Sequence, residues 1–347
     1  MNDFEPPLRL HLDGAALVSN WHSLDARSGQ ARAGAAVKAD AYGLGVREVV
    51  ARLRDAGCRD FFVAHWTEAA AIADLVPPDW ISVLNGISAN DIPSARALGA
   101  IPVLNTPDQV ALWRESGGGR CHIMFDSGIN RMGIGPEQIA DFAPDGIEVD
   151  LLLSHLASAD TDSSQNDEQL HRFQSIASTF QATRLSFANS AAIMLGGDYH
   201  FDLTRPGLSL YGGIARAGMD AFIRPVVRLS ARVLQVRTVA AGAPIGYNAT
   251  YICETETRVG TISIGYADGY LRAFSGKGTA AFEGEVFPVI GRVSMDLVTL
   301  NVASCPGIRE GDWVDLEYDL ATTSELTGLS QYELLTNLGS RFERIWV

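Results

Sequence analysis

The chain is poor in the features that mark secreted, membrane-spanning or nucleic-acid-binding proteins. Its 347 residues hold four cysteines, Cys58, Cys121, Cys253 and Cys305. These are far apart, with no C-x-x-C pair and no histidine at zinc spacing, so neither a disulfide framework nor a metal centre is expected. They read as small buried apolar residues. Basic residues are in deficit, 27 Lys and Arg against 41 Asp and Glu, for a formal net charge of −14. An acidic surface repels phosphate backbones and anionic headgroups, which argues against nucleic acid and membranes as partners. No stretch approaches the ~18 apolar residues of a membrane span. Met1 to Leu10, with Asp3, Glu5 and Pro6-Pro7, lacks the basic start and apolar run of a secretory signal, and a cytoplasmic location is the expectation. Repeats and low-complexity tracts are also missing.

What is present is a globular chain, 47% hydrophobic, long enough at ~150 residues per domain for two domains or one large barrel with an appendage. From Leu8 to about Arg224, short apolar runs alternate with helical patterns, the signature of a parallel sheet. The predicted strands are Ala35 to Lys38, Asp60 to His65, Trp80 to Asn85, Ile101 to Asn105, Cys121 to Asp126, Val149 to Ser154, Arg184 to Ala188 and Phe201 to Thr204. Val46, Val49, Val50 and Leu53 form one helical stripe between them; Leu170, Phe173, Ala177 and Phe180 form another. Eight such units predict a (β/α)8 TIM barrel over residues 1–225. After Pro225 the texture becomes Val- and Thr-rich with glycine turns, in Val226 to Thr238, Val259 to Ile264, Val286 to Val298 and Trp313 to Leu316. Amphipathic helix returns only at Ser330 to Leu338, so 226–347 reads as a mainly β domain. Gly43-Leu44-Gly45 starts like a dinucleotide fingerprint, but Glu48 stands where the third glycine is needed.

A (β/α)8 barrel works at the carboxyl ends of its strands. Polar residues collect there: Lys38 with Tyr42 after the first strand, Arg131 after the fifth, His155 after the sixth, Asn189 and Ser190 after the seventh and Arg205 after the eighth. Apolar neighbours can desolvate Lys38 and leave the nucleophilic amine that a Schiff base requires, although a strand-end lysine also snorkels to water. His155 could be a ligand, a base or a core histidine. Arg205, fixed by the following Pro-Gly, suits either a surface ion pair or a fixed partner for an acceptor.

The segments carrying these residues resemble the alanine racemase family. Ala36 to Gly45 is similar to its cofactor-lysine motif. Further matches are Asp126 to Gly133, Ser154 to Asp160, Ala188 to Ala192 and Arg205 to Gly212. In the β domain, Gly246 to Tyr251, Gly265 to Tyr270 and Gly291 to Asp296 complete the series. Eight motifs in order over nearly the whole chain make the resemblance specific.

The resemblance implies an alanine racemase using pyridoxal 5'-phosphate, with Lys38 both the cofactor lysine and one of two bases. Tyr247 is the second, supplied by the β domain of the partner in a homodimer with shared active sites. Tyr42, Ser190 and the backbone at Gly207 and Leu208 are implied to hold the phosphate. Arg205 is implied to face the pyridine nitrogen, and His155 to join it in a hydrogen-bond chain, with Asn189 also beside the cofactor. Arg131 and the backbone of Met295 are implied to receive the substrate carboxylate, and Tyr266 and Asp296 to line the entrance. Three positions depart from the family pattern. Met124 stands where some relatives carry a carbamylated lysine that orients the arginine here numbered Arg131, Ser294 replaces a cysteine frequent in the family, and Ser340 stands where some members place a phosphate-binding tyrosine. The alternatives are a racemase for another amino acid, a decarboxylase of the same architecture, and a noncatalytic cofactor carrier that resembles the barrel alone.

Overall fold

The apolar runs of the first two hundred residues form one parallel sheet. In the computed structural model, which describes residues 4–139, 145–180 and 182–347, the strands Ala35–Ala36, Phe61–Val63, Ile81–Val83, Ile101–Leu104, Gly119–Met124, Ile147–Leu153 and Arg184–Ser186 pair in chain order. Leu203–Thr204 closes it by pairing in parallel with Arg32–Ala33. The amides of Gly34 and Ala36 donate to the carbonyls of Thr204 and Pro206, and those of Asp202 and Arg205 to Leu185 and Ala188. The result is an eight-stranded barrel whose interior is filled by Phe62, Val103, Met124, Leu151, Leu153 and Leu203. Asp3, used above in reading the N-terminus, lies outside the described residues.

Seven of the eight strands end one or two residues before the apolar runs predict, because pairing ends where the chain turns into the rim. The helix Val46–Ala56 buries Val46, Val49, Val50 and Leu53, and Gly57 caps it at φ 117°. The helix Ser164–Thr179 buries Leu170, Phe173 and Ile176, but its expected stripe stops short of Phe180. Phe180 is already extended and packs its ring on Phe125 at 4.9 Å. Among the described residues, only short 3-10 turns follow the fifth, seventh and eighth strands.

The domain boundary needs a correction. The compact units are Ala16–Arg224 and, as the other, Pro225–Val347 together with the residues up to Ala15. The strand Leu8–Leu12 therefore belongs to the β unit rather than to residues 1–225 as a barrel. Leu8, Leu10 and Leu12 are buried while Arg9 and His11 are half-buried, the alternation of an antiparallel strand with one wet face. It pairs with Val227–Val239 on one side and Glu343–Trp346 on the other.

Within the β unit, Val227–Val239 bulges between Val233 and Gln235 and pairs with both Trp313–Leu316 and Thr257–Ile262. The sheet continues through Val298–Asn301, Glu285–Ile290 and Thr279–Phe282. The expected run Val286 to Val298 is thus two strands. Gly291, at φ 69°, breaks it, and a Cβ there would stand 2.9 Å from the Ile245 carbonyl. The helix Leu320–Thr327, capped by Asp319, was not expected, because it buries only Leu320 and Thr323 and shows no stripe. Gln331–Thr336 falls inside the expected helix and starts on a Ser330/Glu333 capping box.

The barrel wall gives a stability prediction. Phe173 is fully buried, stacked on Phe187 at 5.0 Å and edge-on to Phe201 at 5.1 Å. Phe173→Ala should cost about 3–5 kcal/mol and clearly lower the thermal midpoint. A midpoint unchanged within a degree would contradict this packing.

Candidate active site

Lys38 opens a turn rather than ending a strand. Pairing stops at Ala36, and Ala39, Asp40, Ala41 and Tyr42 follow at φ 53°, 53°, 53° and 57°, one turn of left-handed helix. Sterics against Cβ make this cost about 1–2 kcal/mol per residue, so the turn must be braced. Asp40 Oδ1 accepts from the Val46 amide at 2.7 Å and Glu68 Oε1 from the Ala39 amide at 2.8 Å. Glu68 Oε2 also accepts from Ala64 at 2.6 Å. Lys38 is half-buried, and its ammonium is held below its ordinary pKa by desolvation, then by Arg131; Glu68 opposes the shift and Arg205 adds to it.

Arg205 lies inside the wall, 7% exposed. Its guanidinium donates to the Ser186 hydroxyl and, at 2.6 Å, to the Ser154 carbonyl. Among the described residues it has no carboxylate partner, and burial pushes its pKa down to about 10. His155 meets the same field. Desolvation, then Arg205, Arg131 and Lys38, push its imidazole down to about 3.

A cradle for an anion adjoins these cations. The Ser190 hydroxyl accepts from the amides of Gly207 at 2.8 Å and Ser209 at 3.3 Å. A Cβ on Gly207 would collide with the Tyr42 hydroxyl at 2.3 Å, so only glycine lets that phenol in. Leu208 opens the 3-10 turn Leu208–Tyr211, and the Tyr211 hydroxyl donates to the Ala36 carbonyl at 2.8 Å. The Asn189 side chain accepts from the Ala192 amide at 3.0 Å, at the start of the 3-10 turn Ala192–Leu195.

Arg131 sits on the loop between Asp126 and Ile134. Asp126 Oδ1 accepts from the Gly128 and Ile129 amides at 2.8 and 2.9 Å, and the loop closes through Asp126 to Ile134 and Ile134 to Met124. The guanidinium is exposed and, among the described residues, makes no hydrogen bond or ion pair. Met124 offers it nothing, since its thioether belongs to the barrel interior.

The remaining candidates lie in the β unit. Tyr247 is 67% exposed at the start of a turn whose Asn248 and Ala249 have φ 62° and 49°. The amides of Tyr266 and Ala267 donate to the carbonyls of Ser294 and Met295, both at 3.0 Å. That approach requires Gly265, whose added Cβ would lie 2.3 Å from the Met295 oxygen. The Ser294 hydroxyl donates to the Leu297 carbonyl at 2.7 Å and accepts from its amide at 3.0 Å, closing the turn that carries Met295 and Asp296. Arg341 grips buried Asp268 through two hydrogen bonds of 2.6 and 2.8 Å and Asp296 through one of 2.7 Å. Ser340 is exposed.

Comparison with known proteins gives matches over nearly the whole chain. Residues 12–215 match the family model described as alanine racemase, N-terminal domain, and residues 226–346 match alanine racemase, C-terminal domain. The chain belongs to the alanine racemase family. It is 40% identical to the biosynthetic alanine racemase of Agrobacterium fabrum, covering 98% of this chain and 94% of that one. It is 39% identical to a catabolic alanine racemase of the same organism, over 97% and 92%. The crystal structure of the Bartonella henselae alanine racemase with covalently bound pyridoxal phosphate superposes with a TM-score of 0.93 at 33% identity, covering 99% and 100% of the two chains.

With the family come isomerase activity on alanine and dependence on pyridoxal phosphate. The residues present fit that cofactor: a lysine biased toward its neutral amine, a buried guanidinium lacking a counter-anion, and hydroxyl and amide donors around Gly207. Glu68, Ser186, Gln169 and Arg341 were not found from the sequence. For Gln169 the available signal was a polar residue on the buried face of the helix Ser164–Thr179. Glu68 and Arg341 act on backbone and on distant carboxylates, which no spacing rule reveals.

The cationic surroundings of His155 predict its titration. A depressed pKa means that the folded chain takes up this proton only near 3, whereas the unfolded chain takes it up near ~6.5. The stability it contributes is therefore full above about 6.5 and lost as pH falls toward 3. The His155 ring resonances in carbon-labelled protein should stay fixed from pH 8 to 5; a midpoint near ~6.5 would refute the burial and charge argument.

Proposed function

We propose that the chain interconverts L- and D-alanine with Lys38 and Tyr247 as the two bases, in a homodimer where each β unit serves the partner's barrel. The observation that carries this reading is the buried, carboxylate-free Arg205 beside a lysine pushed toward its neutral amine. Bound pyridoxal phosphate supplies an electron-withdrawing ring that acidifies the Cα–H bond.

Racemisation needs one base on each face of Cα. The Lys38 amine removes or returns the proton on one face, and the Tyr247 hydroxyl does so on the other. Arg131 and the Met295 backbone hold the substrate carboxylate. Tyr42, Ser190 and the amides of Gly207 and Leu208 hold the phosphate, with Asn189 and His155 bordering the ring. Arg205 would face the pyridine nitrogen with a guanidinium that cannot take its proton and brings no carboxylate to keep it protonated, so the bound cofactor would be a weaker electron sink and transamination would be disfavoured. A decarboxylase of this architecture calls for an acid at that place. Tyr266 and Asp296 narrow the entrance toward small side chains.

The homodimer is supported by exposed apolar groups close to Tyr247 and Asp296 in sequence, Ile252, Met295 and Leu297 at 48%, 53% and 41% exposure, since such groups call for a partner surface. Four free, buried thiols fit the reducing cytoplasm. Among the described residues no helix is long and apolar enough to cross a membrane.

Two experiments test the assignment. The chain has only two lysines, Lys38 and Lys277, so borohydride reduction of the holoenzyme followed by peptide mapping should place the cofactor on Lys38 alone. Label on Lys277, or none, would refute the cofactor site. Tyr247→Phe should slow solvent exchange at Cα starting from L-alanine by about 10²–10⁴-fold while leaving cofactor absorbance intact. Unchanged exchange from L-alanine would remove Tyr247 from the mechanism.

A further inference from the structure

Arg131 lacks the side-chain support that its strand could give, because Met124 is committed to the barrel interior. A guanidinium that receives a carboxylate must nonetheless be held within a fraction of an ångström. The loop beneath it is fastened from a different element, the helix Ser164–Thr179.

Gln169 is fully buried on that helix, on the face that also buries Leu170, Phe173 and Ile176. Its amide nitrogen donates to the His155 carbonyl at 3.0 Å and to the Ser127 hydroxyl at 3.1 Å, while its oxygen accepts from the Ala157 amide at 2.9 Å. Both amide hydrogens and one acceptor are thus spent on two segments, one carrying Arg131 and the other carrying His155. Ser127 is held again by the Ser154 hydroxyl, which donates to its own at 2.8 Å.

The helix repeats this contact at its own period. One turn earlier Gln165 donates to the Gly128 carbonyl at 3.4 Å and accepts from the Ser158 hydroxyl at 2.7 Å. Nearly a turn later Arg172 donates to the Ser127 carbonyl at 3.4 Å. Spacings of four and three put all three side chains on one face. Gly128 gives the loop a φ of 134°, a conformation L side chains rarely adopt.

We propose that Gln169, seconded by Gln165, is the positioning residue for Arg131, taking over from the helix side the support that Met124 does not give. The proposal rests on the reading of Arg131 as the carboxylate receptor. An apolar residue of similar size at 169 leaves the His155 carbonyl, the Ala157 amide and the Ser127 hydroxyl without this partner, so the Arg131 loop samples more positions and holds a carboxylate less well. The same loss should appear for both enantiomers, since they share the carboxylate, and for propanoate, which is alanine without its amine.

The test compares Gln169→Leu, Gln165→Ala and Arg131→Ala as holoenzymes. Gln169→Leu should raise KM for L- and D-alanine and the inhibition constant of propanoate together, by roughly tenfold, with kcat within about threefold and the cofactor absorbance unmoved. Gln165→Ala should shift the same quantities by a few-fold and decides the matter alone if Gln169→Leu does not fold. If Arg131→Ala weakens propanoate but neither glutamine variant does, the proposal falls and the reading of Arg131 stands. If Arg131→Ala leaves propanoate binding unchanged, that reading falls and takes the proposal with it. A drop in kcat with shifted absorbance at constant propanoate affinity would show Gln169 acting through His155 instead, which also overturns the proposal.

Discussion

A guanidinium enclosed in a barrel wall and satisfied only by neutral acceptors adds its charge to a mouth already poor in water. Arg205 stays charged because even a pKa near 10 leaves it protonated at neutral pH, and no anion in the wall cancels it. Desolvation is the largest cause of the shifts at Lys38 and His155, and the charges of Arg205 and Arg131 push both the same way. An acidic protein therefore keeps a cationic cluster at one end of its barrel, a field that attracts anions. The same field favours an unprotonated amine and an uncharged imidazole, the forms that can take up protons or share hydrogen bonds.

That field would be of little use without rigidity. The left-handed turn after Lys38 stores strain of about 4–8 kcal/mol if its four residues each cost the usual amount. It persists because carboxylates on Asp40 and Glu68 accept from its own and adjoining amides, and charge-assisted bonds of this kind are worth about 1.5–3 kcal/mol each. The Arg131 loop follows the same principle with neutral amides, two glutamines of one helix holding carbonyl, amide and hydroxyl groups. Backbone elements shaped by side chains from neighbouring βα units thus fix the distances between rim residues.

Much of this was legible in the sequence, and the exceptions share a cause. Apolar runs located the strands, and the polar residues just beyond them located Lys38, Arg131, His155, Ser190 and Arg205, because strand ends in such barrels share one rim. The stripe Val46, Val49, Val50 and Leu53 was readable from helical spacing alone. Gln169, Glu68 and Arg341 were not, since their partners are backbone and side-chain groups of other segments, which no spacing in the sequence reveals. The run of positive φ angles through Ala39, Asp40, Ala41 and Tyr42 was hidden as well, because alanine and tyrosine do not ordinarily adopt them. Leu8–Leu12 fell inside the expected barrel span without being expected as a strand, because its partners lie more than two hundred residues away.

One of those partners has a bearing on how the chain is made. Leu8–Leu12 is synthesised before the barrel unit, yet the strand it pairs with begins at Val227, after it. At ~5–20 residues per second, roughly ten to forty seconds of synthesis separate the two. Throughout that interval the eight barrel strands can find one another in order, while five residues with three leucines trail as an unmatched edge. Nascent chains of this protein are therefore exposed to mispairing at this strand, and a chaperone bound there would shield the β unit rather than the barrel.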